Sequence, residues 1–195
     1  MKRSSGFAGI KHILDEGGIL AYPTETVYGL GCDPFRKEAV ERIFKLKGRK
    51  SGEPPLLLIP NREWLYSLVI DVPSQVLNLM DRFWPGPLTI ALPAKESVPK
   101  WLRHRDKTVA LRISSHPWVE AFLSFYCQPI VSTSANLSGL PPARAAIDVK
   151  KYFSKEVDDC VDGGLLPPSQ GSTIISFDGR FKLIREGAIA REDLW

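Results

Sequence analysis

Three stretches of the 195-residue chain concentrate side chains suited to holding an anion. The first is Pro23-Thr24-Glu25-Thr26-Val27-Tyr28-Gly29-Leu30-Gly31, which offers two hydroxyls, a carboxylate and two glycines. It follows an apolar run, 19–22, that reads as a short buried strand after Gly17-Gly18, and Pro23 ends the ladder because it has no N–H. Open α/β sheets bind ligands at such strand mouths. The same residues would also serve as a polar strand-to-helix connection with turn glycines. The second stretch is Lys47-Gly48-Arg49-Lys50, a cationic cluster where a helix over 37–47 ends; as a bland feature it complements the helix dipole. The third, Ser132-Thr133-Ser134-Ala135-Asn136-Leu137-Ser138-Gly139, is the most polar uncharged run in the chain. Hydroxyls, an amide and free backbone N–H groups ahead of a helix over 143–153 suit phosphate oxygens, whereas a capping turn needs only one of those hydroxyls.

Two further positions join them. In 108–113 the aliphatics Val109, Leu111 and Ile113 alternate with Thr108, Ala110 and Arg112, so Arg112 lies on the opposite face and needs an anionic partner. Ser172 and Arg185 sit at the open end of a hairpin formed by 172–177 and 181–185 across Asp178-Gly179. No Gly-x-Ser-x-Gly elbow and no Cys beside a His points to a protein nucleophile.

The elements that must position these groups follow from periodicity. Helices are expected over 8–16, 37–47, 61–68 (capped by Asn61), 73–83, from Pro117 through Phe125, and over 143–153; strands over 19–22, 56–59, 88–92, 108–113, 130–131, 157–161 and the two hairpin arms. Phe83-Trp84-Pro85-Gly86-Pro87 is a rigid turn with Trp84 in core or cavity wall, and 95–107 reads as an exposed loop. About eight strands and six helices in mixed order, with no internal repeat, imply an α/β fold with a mixed, twisted open sheet and flanking helices.

Length and composition fit one domain, 1–195, with 44% hydrophobic and 25% charged residues. No apolar run approaches the roughly 20 residues of a membrane helix, and no signal core follows the start, so a cytoplasmic protein is expected. Cys32, Cys127 and Cys160 are scattered, as are His12, His104 and His116; neither a disulfide framework nor a protein-built metal site is expected, and the thiols read as buried and free. A net charge of +4 permits a phosphate-bearing ligand or RNA.

Residues 22–31, Lys47-Gly48-Arg49, 83–89, 109–113, 132–139 and Ser172-Thr173-Ile174-Ile175 occur in one fixed order. Together they closely resemble the YrdC/Sua5 family of threonylcarbamoyl-AMP synthases in its short form, over roughly residues 9–187. The resemblance implies a single domain with a basic concave cavity. It implies conversion of L-threonine, bicarbonate and ATP, with Mg²⁺ carried on the ATP phosphates, to threonylcarbamoyl-AMP and pyrophosphate. The product would pass to the machinery that modifies tRNA, which makes RNA a further partner.

The resemblance assigns Lys47, Arg49, Thr108, Ser134, Asn136, Pro142 and Arg185 to ATP, with Lys47 and Arg49 catalytic, and Thr26, Arg112, Ser132 and Ser172 to threonine. Catalysis would rest on placing two anions together and neutralising phosphate charge. Some positions depart from the family pattern. Lys50 stands where proline is frequent, Leu58-Ile59-Pro60 where many members carry histidine, and Gln170-Gly171 where a proline-containing turn is commoner. The rival reading is a double-stranded-RNA-binding module of the same fold without catalysis; against it, the chain lacks an aromatic platform and its Lys/Arg are spread rather than striped.

Overall fold

The computed structural model describes residues 6–48 and 54–195. The expected strand starting at 19 is β1 (Leu20–Tyr22), but the chain does not run from it into a helix. It turns back within six residues and re-enters the sheet as β2 (Gly29–Gly31), antiparallel to β1. The ligand-like stretch is therefore a strand-to-strand connection, and its two glycines are strand residues rather than turn residues. A Cβ on Gly31 would stand 2.7 Å from the Val131 carbonyl and 2.8 Å from the Tyr22 ring, so β2 fits its slot only without side chains there.

The remaining elements follow the expected order. They are α1 (Phe7–Asp15), α2 (Lys37–Leu46), β3 (Leu56–Leu58), α3 (Arg62–Leu68), α4 (Ser74–Phe83), β4 (Leu88–Pro93), β5 (Thr108–Arg112), α5 (Pro117–Tyr126), β6 (Ile130–Ser134), α6 (Ala146–Phe153), β7 (Asp159–Cys160), β8 (Thr173–Phe177) and β9 (Phe181–Arg185). Asn61 caps α3 through Trp64 N–H, as its side chain predicts. Helix α6 begins at Ala146, three residues later than expected, because Ala143 is committed to backbone bonds with Ala135 and Tyr28.

The nine strands form one sheet in the order β7-β1-β2-β6-β3-β5-β4-β8-β9. The pairs β1/β7, β3/β5 and β4/β8 are parallel and the other five antiparallel, which makes the sheet mixed. Two apolar clusters flank it. The larger packs Val40, Ile43, Leu65, Val76, Met80, Val149 and Phe153 against one face, where Leu57, Leu88, Ile90, Leu92, Val109, Leu111, Val131 and Ile175 point. The smaller places Ile10 and Leu14 of α1 and Val119, Phe122 and Tyr126 of α5 over Leu20, Tyr22, Leu58 and Ile130.

Helices α1 and α5 thus cover only the β1–β6–β3 end of the second face. Beyond it, the period-two alternation of the strands leaves small and polar side chains on that face, and the cavity opens there. Of the three free thiols only Cys32 is buried; Cys127 is exposed and Cys160 half-buried, unlike the sequence expectation. No helix among the described residues is long and apolar enough to cross a membrane.

Candidate active site

The uncovered sheet face forms a cavity of about 600 Å³. Its floor comes from alternate residues of adjacent strands: Thr108, Ala110 and Arg112 of β5, Ala91 of β4, Ile174 and Ser176 of β8, and Ser132 and Ser134 of β6. Eight of the eleven residues assigned from sequence line it: Thr26, Thr108, Arg112, Ser132, Ser134, Pro142, Ser172 and Arg185. Lys47 and Asn136 are not in the lining, and Arg49 lies outside the described residues. Two arginines and one carboxylate, Asp106, are the charged lining groups among the described residues.

Thr26 is positioned by Thr24. The Thr24 hydroxyl accepts the N–H groups of Thr26 and Val27, donates to the Val27 carbonyl, and lies 3.0 Å from the Thr26 hydroxyl. This local turn keeps Thr24, Thr26 and Val27 on the cavity wall. Glu25, between them, points away. Its Oε2 takes a short hydrogen bond from the Ser114 hydroxyl, and its Oε1 lies 3.8 Å from Arg112 Nε.

Arg112 is buried, its side chain 4% exposed, and Nε has no hydrogen-bond partner. Nη1 and Nη2 make no hydrogen bond among the described residues either, so the two-pronged end of the guanidinium is what opens to the cavity. Burial pushes the nearby Tyr22 phenol well above its usual range, with a Ser132 hydrogen bond and the Arg112 charge acting the other way.

Ser172 is held by the buried Thr89, whose hydroxyl donates to Ser172 Oγ at 2.9 Å; Arg185 Nη2 reaches the Ser172 carbonyl at 2.8 Å. Gly171, at φ +83°, leaves room for that guanidinium, which lies 3.4 Å from where a Cβ would stand. On the opposite wall the Ser134 hydroxyl donates to Asn136 Oδ1 at 2.6 Å, while Asn136 Nδ2 donates to the carbonyls of Leu137 and Leu140. Lys47 is buried directly behind this loop. Its ammonium donates to the carbonyls of Ser134 and Asn136 and to Asn136 Oδ1. The 134–140 segment is therefore shaped by Lys47 and Asn136, and the helix that was expected to lend its N-terminus starts only at Ala146.

Several lining residues were not singled out from sequence. His104 and Asp106 come from the connection before β5, read as an exposed loop. Asp106 Oδ1 accepts both the N–H and the hydroxyl of Thr108, fixing that hydroxyl's direction. An Asp two residues before a Thr is a signal for such a turn, and it could have been used. Thr89, buried behind Ser172, carried no signal beyond strand polarity, whereas Thr24 belongs to the first stretch singled out from sequence. Leu58, of the Leu58-Ile59-Pro60 segment where many family members carry histidine, is buried in the smaller core and in register with Arg112.

A mixed sheet with a half-covered face, and a cavity combining a bare arginine fork with serine and threonine hydroxyls, define an α/β protein whose cavity has the chemistry to take a small anion. The chain belongs to the Sua5/YciO/YrdC family: the family model Sua5_yciO_yrdC, described as "Telomere recombination", matches residues 12–187. A curated relative from Marinobacter nauticus, named Threonylcarbamoyl-AMP synthase, is 42% identical over 160 residues, covering 82% of this chain and 84% of the relative. The structure of P. abyssi Sua5 complexed with L-threonine superposes with a TM-score of 0.90 at 35% identity; 96% of this chain is covered and 56% of that longer one. E. coli YciO gives a TM-score of 0.88 at 28% identity, covering 97% of this chain and 92% of its own.

Proposed function

We propose that the protein makes threonylcarbamoyl-AMP and pyrophosphate from L-threonine, bicarbonate and ATP. One observation carries the reading: the Arg112 fork opens into a cavity whose lining also includes the hydroxyl residues Thr26, Ser132 and Ser172, with Arg185 bonded beside Ser172 and Ser134 on the opposite wall. The relatives' shared name and the threonine complex of P. abyssi Sua5 support it.

In this reading Arg112 holds the threonine α-carboxylate, a group that survives carbamoylation and adenylation unchanged. Thr26, Ser132 and Ser172 surround the rest of the amino acid. The threonine amine takes up carbon from bicarbonate with loss of water, and a carbamate oxygen then attacks the α-phosphorus of ATP as pyrophosphate leaves. Nothing in this sequence needs a protein nucleophile; the chain contributes placement and charge. Ser134, Thr108, Asn136 and Pro142 shape the ATP side, with Asn136 acting through the Ser134 hydroxyl. Lys47, beneath the 134–136 loop, supplies positive charge there, and Arg49 and Arg185 complete the set of cations for the phosphates.

ATP enters as its Mg²⁺ complex. The lining carboxylate, Asp106, already spends Oδ1 on Thr108, and no group of three or more His, Cys, Asp or Glu among the described residues could hold a metal. That donor set fits a cation carried by phosphates and water rather than by a protein cage. The product would then be consumed by a reaction that transfers threonylcarbamoyl to tRNA.

The test is pyrophosphate release with omission controls. Release that requires threonine and bicarbonate together supports the proposal. Release indifferent to threonine, or tight RNA binding with no turnover, would overturn it in favour of another reading.

A further inference from the structure

Resting on the threonine reading of Arg112, we infer that Glu25 is its positioning residue: an acid outside the cavity that fixes which edge of the guanidinium faces the ligand. The Thr24 turn sends Thr24, Thr26 and Val27 to the cavity wall and turns Glu25 away from it. Glu25 is then anchored from behind. Its Oε2 accepts from Ser114, a buried residue on the connection from β5 to α5, and the Ser114 oxygen in turn accepts the His116 N–H at 3.2 Å.

That anchoring leaves Oε1 pointing at Arg112. Oε1 and Nε are both buried, both without a hydrogen-bond partner, and 3.8 Å apart. Two such atoms would each be costly alone, but opposite in charge they compensate one another. The consequence for binding is directional. With a fixed anion paired to it 3.8 Å from Nε, the guanidinium presents its Nη pair, the edge that grips a carboxylate with two parallel bonds. Removing the acid frees the guanidinium to rotate and to offer a single-pronged edge.

Glu25→Gln keeps an acceptor for Ser114 and removes the charge. Its threonine Kd should rise by about tenfold, with kcat at saturating threonine and the ATP Kd measured without threonine within about twofold of wild type. Glu25→Asp should recover part of the loss. In an Arg112→Ala background Glu25→Gln should add no further loss of threonine affinity. Wild-type threonine affinity in a folded Glu25→Gln protein, or losses that add in full, would overturn the assignment.

A second readout does not depend on the function. In protein labelled with ¹⁵N-arginine, the Arg112 Nε–H should exchange slowly in the wild type and faster in Glu25→Gln. An unchanged shift and exchange rate would refute the role even if the wild type bound no threonine, a result that would separately sink the function. Should Glu25→Gln not fold, Ser114→Ala loosens the same carboxylate. It should raise the threonine Kd at constant kcat, and a wild-type Kd there would count against the role.

Discussion

Lys47 and Asn136 are locked together: the Lys47 ammonium lies 3.0 Å from the Asn136 carbonyl and 3.2 Å from its side-chain oxygen. That side-chain oxygen also takes the Ser134 hydroxyl, so the direction in which Ser134 faces the cavity is set two residues and one helix away. Lys47→Met should therefore act on the loop as a whole. Removing the charged donor these part-buried carbonyls share costs about 1–3 kcal/mol, and a lower Tm should accompany a raised KM for ATP. A raised KM with unchanged Tm would mean that the lysine serves the ligand alone.

Ser134 and Asn136 should separate in the same assay. Asn136→Ala strips four protein partners, Lys47, Ser134, Leu137 and Leu140, and should lower stability by about 1–3 kcal/mol as well as ATP affinity. Ser134→Ala removes a hydroxyl on the cavity wall and should raise the KM for ATP with little change in Tm. Thermal melts beside initial rates distinguish them, and identical behaviour of the two variants would contradict this division.

Arg112→Ala removes a charged, two-pronged contact of about 1.5–3 kcal/mol, so threonine binding should weaken by about 10- to 150-fold. Arg112→Lys should recover only part, since an ammonium lacks the planar fork. ATP affinity measured by calorimetry without threonine should hardly change. An equal loss for ATP alone would show that Arg112 is not the carboxylate clamp.

How much of this was legible in sequence differs by element. The alternation over Thr108–Arg112 placed Arg112 on the cavity face correctly because strand geometry forces it. The hydroxyls of Ser132, Ser134 and Ser172 were legible as polar residues where apolar ones would be expected. What could not be read was β2. Gly29–Gly31 has no strand propensity and exists because Tyr22 and β6 leave a slot only glycine can fill. Missing it turned a hairpin into a supposed strand-to-helix turn. The role of Lys47 was hidden for the same reason, because its carbonyl partners at Ser134 and Asn136 are brought to it only by the tertiary fold.

His116 adds a pH dependence. Its Nδ1 accepts the Trp118 N–H at the start of α5, which an unprotonated ring nitrogen alone can do. Burial lowers its pKa below 6.5, with the Glu25 charge opposing. Below pH 6.5 the unfolded chain then binds a proton that the folded chain still refuses, so this contribution is complete above 6.5 and is lost as pH falls through the lower folded pKa. Melts of wild type and His116→Asn, which keeps a capping side chain, should show the steeper acid loss in the wild type. Parallel curves would exclude His116 as the source.

The joining of threonine to AMP can be followed through one carbon. Wild-type protein is given ¹³C-bicarbonate, ¹⁵N-threonine and MgATP, and the fresh reaction is read by ¹³C NMR. A new carbonyl resonance should appear, split by both the threonine nitrogen and the phosphorus of AMP, since that carbon joins the amine to the adenylate. A resonance coupled to phosphorus but not nitrogen, or AMP formed with no labelled carbon attached, would contradict it.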